Sequence, residues 1–205
     1  VQWPNRKAIV ASLQELIAFQ KDVLPAATSS VYVPPSNILS QEARKIIGED
    51  VPQIRAIAST YMPSDSSLPY IQEFGVAADG VVEAPRIVSG GMVGDTYMRL
   101  AAVSELNMHY VSTHFMHPDD LLDEDRGAKE GWETYRKGLE DYLDWLEQSA
   151  PSIRMQTGTE CAAAVQRFSG LTVSMETTDT SWDLKLGNLT DQGWLMFRAS
   201  NGTPG

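Results

Sequence analysis

All three histidines of this chain lie close together, and two of them stand beside a pair of carboxylates. His109, His114 and His117 fall within nine residues, and the run 112–120 reads Ser-Thr-His-Phe-Met-His-Pro-Asp-Asp. Neutral imidazole and carboxylate oxygen are the ligand types of hydrolytic zinc sites and of related metal sites. Because imidazole also transfers protons in general acid–base catalysis, this run is the first candidate for chemistry.

The two later histidines stand where a predicted strand ends. Residues 108–115 form an apolar, β-branched run, and Pro118 ends it. Enzymes of the α/β class build their sites at the C-terminal edge of such strands. The alternative is an ordinary turn, in which Asp119 and Asp120 cap backbone N–H groups and the histidines are polar neighbours. The clustering of the histidines favours a functional site.

The composition excludes several classes of protein. The chain has 205 residues, 42% hydrophobic and 21% charged, which is typical of a globular protein. No stretch approaches the roughly 20 apolar residues of a membrane span. A net charge of −11 argues against a nucleic-acid partner and suits a neutral or cationic ligand. The single cysteine, Cys161, excludes an intrachain disulfide and any cysteine-based metal cluster.

Predicted helices and strands alternate along most of the chain. Apolar residues at helical spacing predict helices over residues 5–23, 41–48, 95–106 and 130–148, with Asn5 and Ser40 as the N-caps of the first two. Short apolar runs predict strands over residues 29–33, 53–60 and 108–115. The alternation is typical of a parallel sheet or barrel. In the 130–148 helix, one apolar stripe predicts burial of Trp132, Tyr135, Tyr142 and Leu146 in the core.

The pattern changes after Phe168. Residues 171–175, 181–186 and 193–198 alternate apolar and polar side chains between Gly and Asn turns, which is typical of antiparallel strands. We therefore predict an α/β domain over residues 1–168 and a β-strand-rich extension over residues 169–205.

Four segments together resemble the NodB-like polysaccharide deacetylases of the carbohydrate-esterase type, and in particular the branch related to the deacetylase region of PelA, the Pel exopolysaccharide protein. They are residues 32–37 (Tyr-Val-Pro-Pro-Ser-Asn), 80–87 (Gly-Val-Val-Glu-Ala-Pro-Arg-Ile), 112–120 and the run 132–157. The resemblance spans roughly residues 6–168. It implies the C-terminal part of a distorted (β/α) barrel, followed by the antiparallel β extension, with a divalent metal, expected to be zinc, in a groove.

The resemblance assigns the turn after the first strand to one wall of that groove. Tyr32, Pro35 and Asn37 would then bind substrate. The alternative for these residues is a simple turn that ends the strand.

The resemblance also implies catalytic roles. Arg86 stands near the family position whose arginine orients the catalytic base, although it is equally placed for a surface salt bridge. His114 or His117 would protonate the leaving amine as general acid. Asp119 is the residue of this run assigned to the metal.

The chain departs from the family in one respect. The family's metal motif, an Asp-Asp pair with a His-x-x-x-His, precedes the proline turn, but Asp22 is the only aspartate before Pro34 and no histidine precedes it. The chain also opens Val-Gln-Trp-Pro, without an initiator methionine or signal-peptide pattern. We expect a processed or excised portion whose upstream part supplies the metal site, or a chain that has lost the metal. Alone, it is then expected to bind divalent metal weakly and to be inactive.

The expected activity is metal-dependent N-deacetylation of an amino-sugar exopolysaccharide, as in biofilms, in the bacterial envelope, the periplasm or outside the cell. One rival is a self-contained metal hydrolase that uses His114, His117 and Asp119 or Asp120. The other is a non-catalytic carbohydrate-binding protein that stacks sugars on Trp182 and Trp194, although burial is the commoner fate of tryptophan in alternating strands. No Gly-x-Ser-x-Gly elbow or glycine-rich phosphate loop is present.

Overall fold

The computed structural model describes residues 5–26, 30–59, 72–90, 96–193 and 195. The helices are α1 (Arg6–Val23), α2 (Gln41–Asp50), α3 (Thr96–His109), α4 (Gly131–Ser149) and α5 (Gly158–Gly170). The strands are β1 (Val31–Tyr32), β2 (Ala56–Ile57), β3 (Gly75–Val76), β4 (Val82–Glu83), β5 (Val88–Ser89), β6 (His114–Phe115), β7 (Thr172–Thr177) and β8 (Trp182–Gly187). Short 3₁₀ turns cover Pro35–Asn37 and Asp120–Leu122. The chain is therefore mixed α/β, as predicted.

The parallel strands are neighbours in chain order. β1 pairs with β2 and β2 with β4, all parallel, while β3 is antiparallel to β4 and β5 is parallel to β6. Beyond β4 the backbone continues to hydrogen-bond with the end of β2 and the residues that follow it. Ala84 N donates to Ile57 O (3.0 Å), and Arg86 N donates to Ser59 O (2.6 Å). The segment 84–90 thus leaves β2 and joins β6. In the described part of the chain, neither sheet closes on itself.

Side-chain oxygens start three of the helices. Asn5 accepts a hydrogen bond from Ala8 N at the start of α1, and Ser40 accepts one from Ala43 N at the start of α2. These contacts satisfy N–H groups that have no partner inside the helix. Thr157 forms a reciprocal capping box with Glu160 at the start of α5. The predicted N-caps Asn5 and Ser40 are confirmed.

The strands separate apolar layers because successive side chains point to opposite faces. Ile57 packs with residues of α1 and α2, in a layer of Leu13, Ile17, Leu39, Ile47, Val51, Ile54 and Val81. The adjacent Ala56 packs on the other face with Val82, Ala84 and, from α5, Ala162 and Val165. A third layer joins β5 to α3 and α4 through Val88, Ala102, Tyr142 and Leu146. Trp132, which was predicted to be buried with Tyr142 and Leu146, is 58% exposed and does not belong to this layer.

A part-buried ionic network joins α2 to the four-stranded sheet. Arg44 Nε donates to Glu83 Oε1 (2.5 Å) and Arg44 Nη1 donates to Asp79 Oδ2 (2.7 Å). The Arg44 guanidinium holds the pKa of the Asp79 carboxyl below its usual value. Gln72 Nε2 donates to Glu83 Oε2 (2.5 Å), and Gln72 Oε1 accepts from Ser59 N (2.8 Å). The network therefore reaches Ser59, the second residue after β2.

The predicted β extension begins as an antiparallel hairpin. β7 and β8 pair from Thr172↔Gly187 to Thr177↔Trp182, so Val173, Met175, Leu184 and Leu186 share one face. Trp182 is 49% exposed, contrary to the burial expected from its alternating pattern, because no described element covers the hairpin closely enough to bury it. Most of the predicted third strand, residues 193–198, and the side chain of Trp194 lie outside the described residues. The boundary at residue 168 stays a prediction.

In the described part of the chain, none of the helices combines the length and the apolar character needed to span a membrane.

Replacing Gly48 by Ala should destabilise the protein, although Gly→Ala within a helix normally stabilises by about 1 kcal/mol. A Cβ at Gly48 would overlap Asp79 Oδ2 and lie 2.7 Å from Arg44 Nη1, so this part-buried ion pair must shift from its present geometry. We expect a loss of about 1–2 kcal/mol in the free energy of unfolding, measured by urea denaturation. The matched control is Gly170→Ala in α5, where a Cβ meets nothing within 4 Å. If both variants gain stability, the network does not constrain α2.

Candidate functional site at the strand edge

Arg86 joins the turn after β1 to the segment that follows β4. Asn37 is the last residue of the 3₁₀ turn and has a left-handed backbone, with φ of 59°. This conformation is uncommon outside glycine, although asparagine tolerates it better than most residues. The Asn37 side-chain carbonyl accepts a hydrogen bond from Arg86 Nη2. Ser59 Oγ also donates to Asn37 O (3.4 Å), so the ends of β1 and β2 and the segment after β4 meet here.

Arg86 also contacts the end of β6. Its guanidinium carbon lies 3.8 Å from the centroid of the Phe115 ring, a cation–π geometry. Burial lowers the pKa of Arg86, and its Nε is buried without a hydrogen-bond partner among the described residues. Phe115 in turn meets His117 edge to face, with ring centroids 4.6 Å apart. We call Asn37, Arg86, Phe115 and His117 the edge row.

The loop after β6 is anchored by Asp120 rather than by Asp119. Asp120 is 3% exposed; its Oδ1 accepts from Arg126 Nη1 (2.9 Å) and its Oδ2 from the Tyr135 hydroxyl (3.0 Å). Its Oδ1 also lies 3.6 Å from His117 Nδ1, beyond a direct hydrogen bond. The charge of Arg126 and the hydrogen bond from Tyr135 compensate for the burial of this carboxylate, and they hold the loop that carries the exposed imidazole of His117.

His114 lies on the opposite side of β6 from Phe115. Its Nε2 is 2.6 Å from Gly90 O, and its ring meets the buried Tyr142 of α4 edge to face at 5.4 Å. The imidazole therefore packs toward the helix layer, as expected from the alternation of adjacent strand residues. His117 therefore lies with the edge row, whereas His114 supports the Gly90 turn. The catalytic roles of both stay predictions.

The three predicted substrate-binding residues lie in different surroundings. Tyr32 packs against the layer that contains Ile57, and burial raises the pKa of its hydroxyl. Pro35 begins the 3₁₀ turn and is exposed. Of the three residues, Asn37 is the one with a described contact to another predicted site residue, Arg86.

The predicted metal ligand Asp119 lies on the surface. Its side chain is 62% exposed, and its Oδ2 is 3.9 Å from Arg126 Nη2. Within the described ranges, the His, Cys, Asp and Glu side chains form no group of three or more that could hold a metal ion. The described residues therefore do not fit the divalent metal that the resemblance implies, and the structure does not unite His114, His117 and Asp119 as one set of ligands.

Two buried carboxyl groups were not assigned to the deacetylase site. Asp120 was a candidate cap and, in the rival metal hydrolase, the alternative to Asp119; its burial follows from the partners Arg126 and Tyr135, which lie later in the chain. Glu105 in α3 is 8% exposed and accepts hydrogen bonds from Ser112 and Thr113. The signal in the sequence that could have identified Glu105 is a glutamate among the apolar residues of a predicted helix.

The fold and the edge row define a mixed α/β protein whose polar side chains converge at the C-terminal ends of parallel strands. Over its whole length, residues 1–205, the chain matches the family described as "Uncharacterised protein conserved in bacteria (DUF2194)", and it belongs to that family. Comparison with curated proteins and with solved structures gave no match.

Asn37→Gly should isolate the contact with Arg86. Glycine accepts the left-handed backbone without strain but removes the acceptor, so we expect a loss of about 1–2 kcal/mol in the free energy of unfolding. Ser36→Gly is the control, because Ser36 has φ of 53°, is exposed and lies next to Asn37. It should leave stability unchanged or raise it by about 0.5–1 kcal/mol. Equal effects in chemical denaturation would show that the Arg86 contact contributes nothing.

Asp120→Asn and Asp119→Asn should differ strongly. The first weakens a buried charge pair with Arg126 and should cost about 2–4 kcal/mol in thermal or urea unfolding. The second alters an exposed side chain and should change stability by less than about 0.5 kcal/mol. A larger cost for Asp119→Asn would mean that the exposed carboxylate has a structural role that its contacts do not explain.

Proposed function

We propose that this chain contributes the substrate-binding and proton-donating side of a metal-dependent N-deacetylase that acts on an amino-sugar exopolysaccharide of the bacterial envelope. The observation that carries the proposal is the edge row, in which an exposed imidazole, an aromatic ring and a held guanidinium stand together at the ends of parallel strands. Ligands of α/β proteins bind at this end of the strands. The resemblance of residues 32–37, 80–87 and 112–120 to the deacetylases supplies the reaction class.

The strand order supports the barrel part of the proposal. β1, β2, the β4–β5 segment and β6 are successive parallel neighbours, with helices between most of them. A (β/α) barrel has this order, whereas a doubly wound sheet reverses it at a switch point. We infer that these strands form part of a distorted (β/α) barrel and that β7 and β8 belong to a separate extension.

Within that site, His117 is assigned the proton transfer. Its side chain is 52% exposed, so it can reach a bound substrate, while buried Asp120 and the Phe115 ring restrict its position. It would donate a proton to the amine nitrogen as the bond from that nitrogen to the acetyl carbon breaks. Phe115 and Arg86 would pack beneath a sugar ring and orient its acetamido group.

His114 is assigned a supporting role. Its imidazole bonds to Gly90 O and packs on Tyr142, which fixes the turn after β5 beside the edge row. The metal would activate the attacking water in such an enzyme. The described residues do not fit such a metal, and none of them is assigned as its ligand.

His117→Gln tests the proposal with His109→Gln as its control. Acetate release from an N-acetylglucosamine pentamer should be measured with zinc, cobalt or nickel, in the chain and in the longest natural polypeptide that contains it. Where release is detected, His117→Gln should lower kcat on the order of 100-fold or more, the usual contribution of a general acid. His109 stacks on Phe74 at the end of α3, so its replacement should leave kcat unchanged.

The outcomes separate the candidate functions. Equal rates for the His117→Gln variant and the natural protein would contradict the assigned proton transfer. Pentamer binding that Arg86→Gln abolishes, without acetate release from either polypeptide, would favour the non-catalytic carbohydrate-binding protein. Absence of both binding and release would contradict the proposed function.

A further inference from the structure

Glu105 is a buried carboxyl group that the proposed chemistry does not use. It lies in α3 with 8% of its surface exposed, and its partners are on the strand side of the helix. Its Oε2 accepts from Ser112 Oγ (2.9 Å) and from Thr113 N (3.3 Å). Polar groups buried in this way usually stabilise one arrangement of the chain, because they lose most of their hydrogen-bond energy in any other.

The contact closes a very short connection. Four residues, 110–113, separate the last residue of α3 from the first residue of β6, and Tyr110 turns the chain with φ of 60°. On the other side of the segment, Thr113 Oγ1 donates to Pro85 O. The approach to β6 is thus held by Glu105 from the helix and by the segment next to Arg86 from the sheet.

We propose that Glu105 is a positioning residue for the edge row: by holding Ser112 and Thr113, it sets where Phe115 lies against Arg86. This inference rests on the proposed function, which gives the edge row its role. The contact itself can be tested without any activity, so its failure is distinguishable from failure of the proposed function.

The electrostatic surroundings make this contact depend on pH. Burial and the neighbouring Glu105 carboxylate raise the pKa of Tyr142 of α4, and the Tyr142 ring in turn packs on His114 of β6. Burial raises the pKa of Glu105 to about 7, against the opposing effect of the bonds from Ser112 and Thr113. The folded contact therefore binds a proton more tightly than the opened one. By linkage, the contact is most stable at low pH and weakens as the pH rises from about 4.5 to 7, after which it levels off.

The first test is hydrogen exchange of the amides of residues 111–117 at pH 5.5 and at pH 8, corrected for intrinsic rates. In the natural chain the opening constant should rise on the order of tenfold between the two pH values. Glu105→Gln keeps an acceptor but cannot ionise, so the rise should vanish. Glu147→Gln in α4, an exposed glutamate, is the control and should retain it. A rise that persists in Glu105→Gln would overturn the assignment.

The second test reads position directly. The Phe115 ring current displaces the proton resonances of the Arg86 guanidinium, which lies 3.8 Å from the ring. Glu105→Ala and Ser112→Ala should both move these resonances toward their random-coil values, and Glu105→Gln should largely preserve them. If Glu105→Ala does not fold, Ser112→Ala alone decides. Unchanged Arg86 resonances in a folded variant would show that Glu105 is a passive buried group.

Discussion

The candidate site depends on the contacts that Arg86 makes on both sides of it. Asn37 accepts one of its hydrogen bonds and the Phe115 ring lies 3.8 Å from its guanidinium carbon. These neighbours belong to the turn after β1 and to β6, which do not pair with each other. Arg86 can reach both because the backbone of 84–90 leaves β2 and joins β6 at this point. A desolvated guanidinium retains its position only if its neighbours hold it, so the three residues constrain one another.

Strand alternation divides the residues of this region between two tasks. Phe115 and His117 lie toward Arg86, while His114 packs on Tyr142 and bonds to Gly90 O. The buried carboxyl groups follow the same division, because Asp120 anchors the loop that carries His117 and Glu105 holds the approach to β6. Residues that are neighbours in sequence therefore lie on different sides. Some form the exposed surface, and others form the layer that supports it. These contacts hold the exposed imidazole of His117 in place. A group that transfers protons to a bound ligand has to be held in this way.

The sequence predicted α1 and α2, because their caps Asn5 and Ser40 act locally. It was wrong to begin a strand at residue 108, since α3 continues through His109 and β6 covers only His114–Phe115. The resemblance placed Asn37, Arg86 and the late histidines in one groove, and the structure joins Asn37 to Arg86. The sequence could not separate Asp119 from Asp120, because adjacent residues differ only through partners that fold back from residues 126 and 135. The helical periodicity predicted that Trp132 is buried in the core with Tyr135. Trp132 is exposed, and it lies in the first turn of α4. The burial of such residues depends on tertiary packing, which periodicity does not specify.

The most direct measurement of the central claim is a double-mutant cycle between Arg86→Met and Phe115→Leu, with the free energy of unfolding measured for the natural chain, both single variants and the double variant. If Arg86 holds the end of β6 as described, the two effects should be non-additive, with a coupling energy of about 1 kcal/mol or more. A coupling energy within about 0.3 kcal/mol of zero, with all four proteins folded, would contradict the account, because the edge row would then be a set of independent surface residues.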